Sequence, residues 1–357
     1  MKTYTKYFIY TFFKSLLFVF SIMLSLVFIL NLLSELDFFK EIDTEIYFPL
    51  FLALLNSPTM IFEIFPFIFL ITTQLFFIKL FNNNEINIFK YSGLKNSRII
   101  IILSIASIIA GILITTLFYN LSSNLKNFYL ELKSSYTTDG KYLAVITKNG
   151  LWIKDEIDGK ILIVNASKIE QSFLIDAFIT ELDENYNISR NIKSNKIDIV
   201  DKNWLIYDAK IIKQNNYEFE NLFTLKTNFD YKRVQTLYSN LSSLNIFQLY
   251  QLRENYKKLN YSITEVNIQL LKLISYPLYL LLISIFSALI MLKIKKIDST
   301  TFKISIGLFI SVIIYYLNNF SLVLGATERI PITVSVLFPL FILTILNTLM
   351  LNNINEK

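Results

Sequence analysis

Residues 16–33 read LLFVFSIMLSLVFILNLL, from Leu16 to Leu33, eighteen positions without a charge. At 1.5 Å per residue such a helix is about 27 Å long, close to the thickness of a bilayer's hydrocarbon core. Working outward, Phe48 to Ile78 holds one charge, Glu63, and three prolines, Pro49, Pro58 and Pro66. It exceeds one crossing, which predicts a membrane-surface approach over Phe48–Asn56 and a second spanning helix over about Thr59–Ile78. Ile99–Leu125 is uncharged and predicts a third. After about 140 residues of different character, apolar runs resume at Leu273–Leu292, Ile304–Leu324 and Ile330–Leu351. One run alone reads equally as a buried core helix; six in one chain do not. The first run is too long for a cleavable signal, lacks a small-residue cleavage pattern and precedes further spans, so it is expected to stay in place.

Composition agrees. Of 357 residues, 54% are hydrophobic and 17% charged, against about 25% charged in a soluble domain, and mean hydropathy is +0.48. Cysteine and histidine are absent. That excludes disulfides, thiol nucleophiles, thiolate or imidazole metal sites and every triad with a histidine base. Neither GxxxxGK[ST] nor GxGxxG occurs, so the chain has no phosphate-cradling loop. The net charge of +6 would point to nucleic acid in a soluble protein. In a membrane chain its distribution matters more.

Lys2, Lys6 and Lys14 precede the first span, whereas Glu35, Asp37, Glu41, Asp43 and Glu45 face Lys40 alone after it. Lys79, Lys90, Lys95 and Arg98 lie between spans two and three. Lys293, Lys295, Lys296 and Lys303 lie between four and five. The positive-inside rule then predicts a multi-pass membrane protein with both termini and both basic loops cytoplasmic. The insert, residues about 126–268, falls outside.

Within the insert the apolar period drops to two. Phe173, Ile175, Ala177 and Ile179 alternate with Leu174, Asp176, Phe178 and Thr180. Leu205, Tyr207, Ala209 and Ile211 alternate with Trp204, Ile206, Asp208 and Lys210. Such alternation predicts half-buried strands, and Asp158-Gly159 predicts a tight hairpin. Weaker turn markers stand at Asn185-Tyr186-Asn187 and Asp201-Lys202-Asn203. An all-β sandwich or open barrel follows. From Lys126 to Lys232 fifteen basic residues meet sixteen acidic ones, so no nucleic acid is expected on this face. A partly open apolar interior would accept acyl chains; a closed sandwich would only dock. Asn245–Asn260 has helical spacing and is expected at the membrane surface. Small residues at Ser287-Ala288 and Ser305/Gly307 predict close helix approach.

Several local patterns resemble the LptF/LptG permease family of the lipopolysaccharide exporter, over essentially the full length. Residues 84–93, NEINIFKYSG, are similar to the family's S-E-L-x-x-x-x-A-S-G coupling segment. Pro58 and Pro66 match its paired prolines. Residues 150–155, GLWIKD, resemble the strand that opens its β domain, closest to the LptG branch, and Trp204 sits at a late W-x-L. Gly325 to Pro331, then Pro339, resembles the start of its sixth helix. The fold implied is an α-helical membrane protein with an inserted all-β domain. Six helices, three plus three, flank a periplasmic β-jellyroll. Residues 1–125 hold helices one to three with a coupling helix at about 82–97, 126–268 the jellyroll with a following surface helix, and 269–357 helices four to six.

The resemblance implies a transport subunit that extracts lipopolysaccharide from the inner membrane and passes it to a periplasmic bridge. Removing an acyl chain from a bilayer costs about 0.8 kcal/mol per CH₂, so energy must come from elsewhere. No cofactor is expected in this chain. ATP and Mg would be bound by an LptB-like ATPase dimer, with an LptF-like permease and an LptC-like single-span protein as further partners. Glu85, Ile88, Lys90 and Gly93 are the implied ATPase-coupling residues; Gly93 would end the short helix. Asn31, Glu35, Lys40, Tyr315 and Tyr316 are candidates for the lipid gate and cavity. The family's basic residues at the outer end of helix one are missing: residues 31–37 read NLLSELD and Lys40 is the first base. Fewer lipid phosphates are therefore expected. Glu63, a carboxylate inside a span, is read as snorkelling or packing ahead of substrate handling. Alternatives are the LptF position in the same exporter and a membrane-anchored sensor or docking protein with an extracytoplasmic β domain.

Overall fold

A computed structural model describes residues 3–40, 42, 44–45, 47–134, 136, 151–157, 159–170, 172–184, 186–213, 216–231, 234, 240–258, 261–293 and 300–351. Two compact units emerge: residues 1–126 with 264–357, and residues 127–263.

The first unit is helical. It contains α1 (Thr3–Phe38), α2 (Tyr47–Asn82), the short α3 (Glu85–Tyr91) and α4 (Asn96–Leu113). A π turn over Ile114–Phe118 joins α4 to α5 (Tyr119–Ser134). Six helices among the described residues are long and apolar enough to cross a membrane; the third runs from Asn96 to Lys133. The expected surface approach over Phe48–Asn56 is not separate. It is the first third of α2, a single helix of 36 residues with Pro58 and Pro66 inside it.

The continuity of α2 has a specific cause. Proline at position i leaves the carbonyl of residue i−4 without its helical N–H, and in a membrane that acceptor must be satisfied by a neighbour. Pro66 orphans the carbonyl of Phe62, which accepts the hydroxyl of Tyr276. Tyr276 stands on a helix that follows the β domain, and its ring stacks on Phe62 at 4.6 Å between centroids. The same device recurs in the last span, where Pro339 orphans the carbonyl of Ser335 and Ser321 Oγ donates to it at 2.7 Å.

The second unit contains an antiparallel sheet of seven strands: β1 (Leu151–Ile157), β2 (Lys160–Ala166), β3 (Lys168–Glu170), β4 (Phe173–Leu182), β5 (Ile188–Asp198), β6 (Asn203–Lys213) and β7 (Asn216–Lys226). They run up and down in the order β1-β2-β4-β5-β6-β7, with β3 also on β4. Gly159 adopts φ +75° at the hairpin between β1 and β2; Asp158 lies outside the described residues, as does Gly150. The helix expected at 245–260 is α6 (Ile246–Lys258).

The simple alternation expected along β4 and β6 changes phase partway. In β6 the buried residues are Trp204 and Ile206, then Ala209 and Ile211. In β4 they are Leu174, then Ala177, Ile179 and Glu181. The switches occur at Asp208 and Asp176, which take φ +47° and +48°. Aspartate tolerates this left-handed backbone better than most residues. One left-handed residue rotates the following side chains by half a pleat. The register places Asp176, Asn195 and Asp208 in one row across three strands, so the crease crosses the sheet.

Three further spans complete the helical unit: α7 (Thr264–Lys293), α8 (Thr300–Ala326) and α9 (Ile332–Leu351). Small residues let them approach closely. Ser107 Oγ donates to Ser284 Oγ at 3.0 Å and Ser287 Oγ to the Leu70 carbonyl at 2.9 Å. A Cβ on Gly111 would lie 2.9 Å from the Pro277 Cα, and one on Gly307 would overlap the Gln74 side chain. The close contacts expected at Ser287 and Gly307 are thus present.

Candidate functional site

The short helix α3 begins after Asn84, which takes φ +55° and breaks the chain away from α2. It ends in a full C-terminal cap. The Gly93 N–H donates to the Lys90 carbonyl at 2.9 Å and the Leu94 N–H to the Phe89 carbonyl at 3.0 Å. Gly93 holds φ +80° there, a conformation that costs glycine little. One face of α3 is inward: Ile86 is buried, and the Phe89 ring meets Phe8 of α1 edge-on at 4.8 Å. The opposite face is outward, with Ile88 60% and Tyr91 92% exposed, three residues apart on one side.

Glu85 belongs to neither face alone. Its Oε2 accepts the Tyr7 hydroxyl at 2.7 Å and its Oε1 accepts Asn83 Nδ2 at 2.9 Å. The carboxylate therefore pins α3 to the first turns of α1, beside the Phe8–Phe89 contact. α3 is thus joined to α1 by one charge-assisted hydrogen bond and by contacts of the Phe89 ring with Tyr7 and Phe8.

Farther along α1, Asn31 and Glu35 are buried within the helical unit at 4% and 1% exposure. Asn31 Nδ2 donates to the Ala53 carbonyl at 2.8 Å and its Oδ1 accepts Asn56 Nδ2 at 3.0 Å. Asn56 Oδ1 in turn accepts Lys126 Nζ. Asn31 thus belongs to a polar seam binding α1 to α2, and Lys126 supplies a base at that seam from the end of the third span. Lys40 is exposed past the helix end. Ile29, Leu30, Leu33 and Leu36 form an exposed apolar flank of α1 here, with Ser34 and Asp37 exposed beside them.

Tyr315 and Tyr316 part company. Tyr316 is exposed, whereas Tyr315 packs on Phe67 at 5.5 Å and lines a cavity between α2, α7, α8 and α9. Glu63 and Lys272 line the same cavity. Three participants escape the sequence reading. Tyr7 carries no pattern of its own. Tyr91 is signalled only by its spacing from Ile88. Lys272 falls one residue before the uncharged run that marks the fourth span.

In the β unit, the carboxylate of Glu181 is buried between Lys160 Nζ at 2.7 Å and Arg190 Nε at 2.6 Å. Burial alone would raise its pKa, but the two cationic hydrogen bonds outweigh burial and hold it below the ordinary value. Asp155, from the GLWIKD stretch, accepts the Asn228 backbone N–H at 2.8 Å and its side-chain amide at 2.9 Å. Trp204 Nε1 donates to the Phe229 carbonyl at 2.8 Å. Both sequence-flagged residues thus fasten the segment that leaves β7.

Six apolar helices long enough to span, with a short helix after the second and an antiparallel β domain inserted after the third, define a multi-pass membrane permease subunit. The chain belongs to the lipopolysaccharide export system permease LptF/LptG family, which it matches over residues 6–353. Subunits of this family transport; they are not themselves catalytic. Comparison with curated proteins gave no match.

Proposed function

We propose that this chain is the LptG-type half of an ATP-driven exporter that draws lipopolysaccharide out of the inner membrane toward a periplasmic bridge. The observation that carries the mechanism is the junction of Glu85 and Phe89 with Tyr7 and Phe8. An LptB-like ATPase dimer docks on the outward face of α3, on Ile88 and Tyr91, with Lys90 beside them. ATP and Mg reside on that partner, which converts hydrolysis into closure and pushes α3 as a rigid body held by its Gly93 cap. The push passes to α1, whose exposed apolar flank borders the lipid cavity shared with an LptF-like permease. Asn31 and Glu35 keep α1 in register with α2, so the helix moves as a lever. Lys40 and Tyr316 stand toward the exported lipid, and Tyr315 packs behind them on Phe67. The β domain lies in the periplasm and hands the lipid on with an LptC-like protein; the basic cytoplasmic loops support this orientation.

The LptG rather than LptF position rests on the GLWIKD stretch. Replacing Glu85 with Ala or Lys in the assembled complex tests the coupling. The expected result is ATP turnover that continues while lipid release falls. Release in normal proportion to turnover would overturn the assignment.

A further inference from the structure

The cavity between α2, α7, α8 and α9 has a volume of about 290 Å³. Its wall carries two opposite charges, Glu63 and Lys272, and two amides, Asn318 and Asn319. Ionisable groups inside membrane segments are costly to keep and mark sites when they face a cavity. Lys272 is half-buried, and its ammonium has neither hydrogen bond nor ion pair among the described residues. Glu63 is exposed at the bundle surface. The Tyr276 hydroxyl, also in the lining, is committed to the Phe62 carbonyl. One cavity therefore presents a cation and an anion that attract each other across it without a direct ion pair.

Depth and size narrow the occupant. α7 has 30 residues, about 45 Å of helix against about 30 Å of hydrocarbon, and its uncharged run Leu273–Leu292 fills its last two thirds. Lys272, about 12 Å along the axis from Thr264, therefore stands at the outer headgroup boundary. Asn318 lies eight residues before the end of α8 at Ala326. The two helix ends adjoin, since Thr264 Oγ1 donates to Glu328 Oε1 at 2.8 Å. The volume lies at the small end of ligand pockets, about 300–1,000 Å³, and accommodates a headgroup.

We infer that this cavity binds the headgroup of a phospholipid bearing a phosphate ester and a primary amine, the phosphate on Lys272 and the ammonium toward Glu63. An anionic headgroup without the amine leaves Glu63 facing a phosphate. A quaternary amine lacks the N–H donors a carboxylate takes up. The lipid is a resident of the permease, separate from the exported cargo, and the site does not depend on the export reading. The cargo carries related chemistry, so the test separates the two.

The test titrates the purified full chain in neutral detergent with dioleoyl phosphatidylethanolamine, phosphatidylglycerol and phosphatidylcholine, and reads bound lipid by native mass spectrometry. One phosphatidylethanolamine per chain is expected, at least tenfold tighter than phosphatidylglycerol. Lys272→Gln lowers that affinity at least tenfold, Lys272→Arg keeps it within threefold, and Glu63→Gln abolishes the preference over phosphatidylglycerol. Equal affinity of the wild-type chain for all three lipids overturns the inference. So does an unchanged phosphatidylethanolamine affinity in Lys272→Gln. If purified lipopolysaccharide displaces the phospholipid one for one and needs Lys272 to do so, the site belongs to the cargo and the assignment falls.

Discussion

Tyr7→Phe removes one hydroxyl and leaves every ring contact around α3 in place. The hydroxyl donates to a carboxylate at 2.7 Å, and hydrogen bonds to charged groups contribute about 1.5–3 kcal/mol when shielded. Tyr7 is 38% exposed, so water competes and about 1 kcal/mol remains. That is roughly a fivefold change in the equilibrium between α3 docked on α1 and α3 released. Phe8→Ala acts on the same joint more severely. Phe8 is fully buried against Phe89 and Phe76, and such truncations cost about 3–5 kcal/mol. The assay is lipid released per ATP hydrolysed, measured in proteoliposomes containing the whole complex. Tyr7→Phe is expected to lower that ratio severalfold with ATPase binding unchanged, and Phe8→Ala to lower it further. A wild-type ratio in Tyr7→Phe would refute the idea that force passes from α3 to α1 through this joint.

Three other outcomes are expected. Tyr276→Phe leaves the Phe62 carbonyl orphaned beside Pro66 and destabilises the helical unit by about 1–3 kcal/mol. Pro66→Ala restores the helical donor and reduces that loss in the double variant; thermal unfolding in detergent shows whether it does. Gly111→Ala forces the third and fourth spans apart, because its Cβ meets the backbone of Pro277 at 2.9 Å. A thermal midpoint equal to wild type would contradict that packing. Glu181→Gln destabilises the β unit by about 1–2 kcal/mol at neutral pH. Since the Glu181 pKa is lowered on folding, its contribution is present above the ordinary value of 4.5. It fades as pH falls through the folded value. Denaturation of the full chain should therefore show the wild-type advantage shrinking below about pH 4.5; an advantage constant from pH 7 to 3 contradicts the triad.

How far the sequence carries these features depends on the kind of signal each leaves. The apolar runs locate all six spans because lipid demands uncharged length, and GLWIKD, Trp204 and Gly93 announce roles that their hydrogen bonds then occupy. Helix ends are harder. The fourth span begins at Thr264, nine residues before its uncharged run, so Lys272 reads as a flank when it lies inside. The second span keeps its first third because a tyrosine more than 200 positions away caps the carbonyl that Pro66 exposes, a long-range event with no local mark. Asp176 and Asp208 look like polar positions of an ordinary alternation, yet their positive φ shifts the buried face. Asn31 and Glu35 read as a gate because they are polar at a span's end. Their burial follows from the pairing of α1 with α2, which periodicity does not encode. Tyr7 becomes significant only when α3 folds back beside it.

The account rests on lipid entering a cavity bordered by α1 and α8, driven by an ATPase this chain lacks. Photo-crosslinking in cells from positions 29–36 on α1 and from Tyr316 on α8 measures this most directly. Lipopolysaccharide adducts are expected at both sets of positions without ATP hydrolysis, with outward release alone requiring it. No adducts at either set, in a complex that still exports, would contradict the claim.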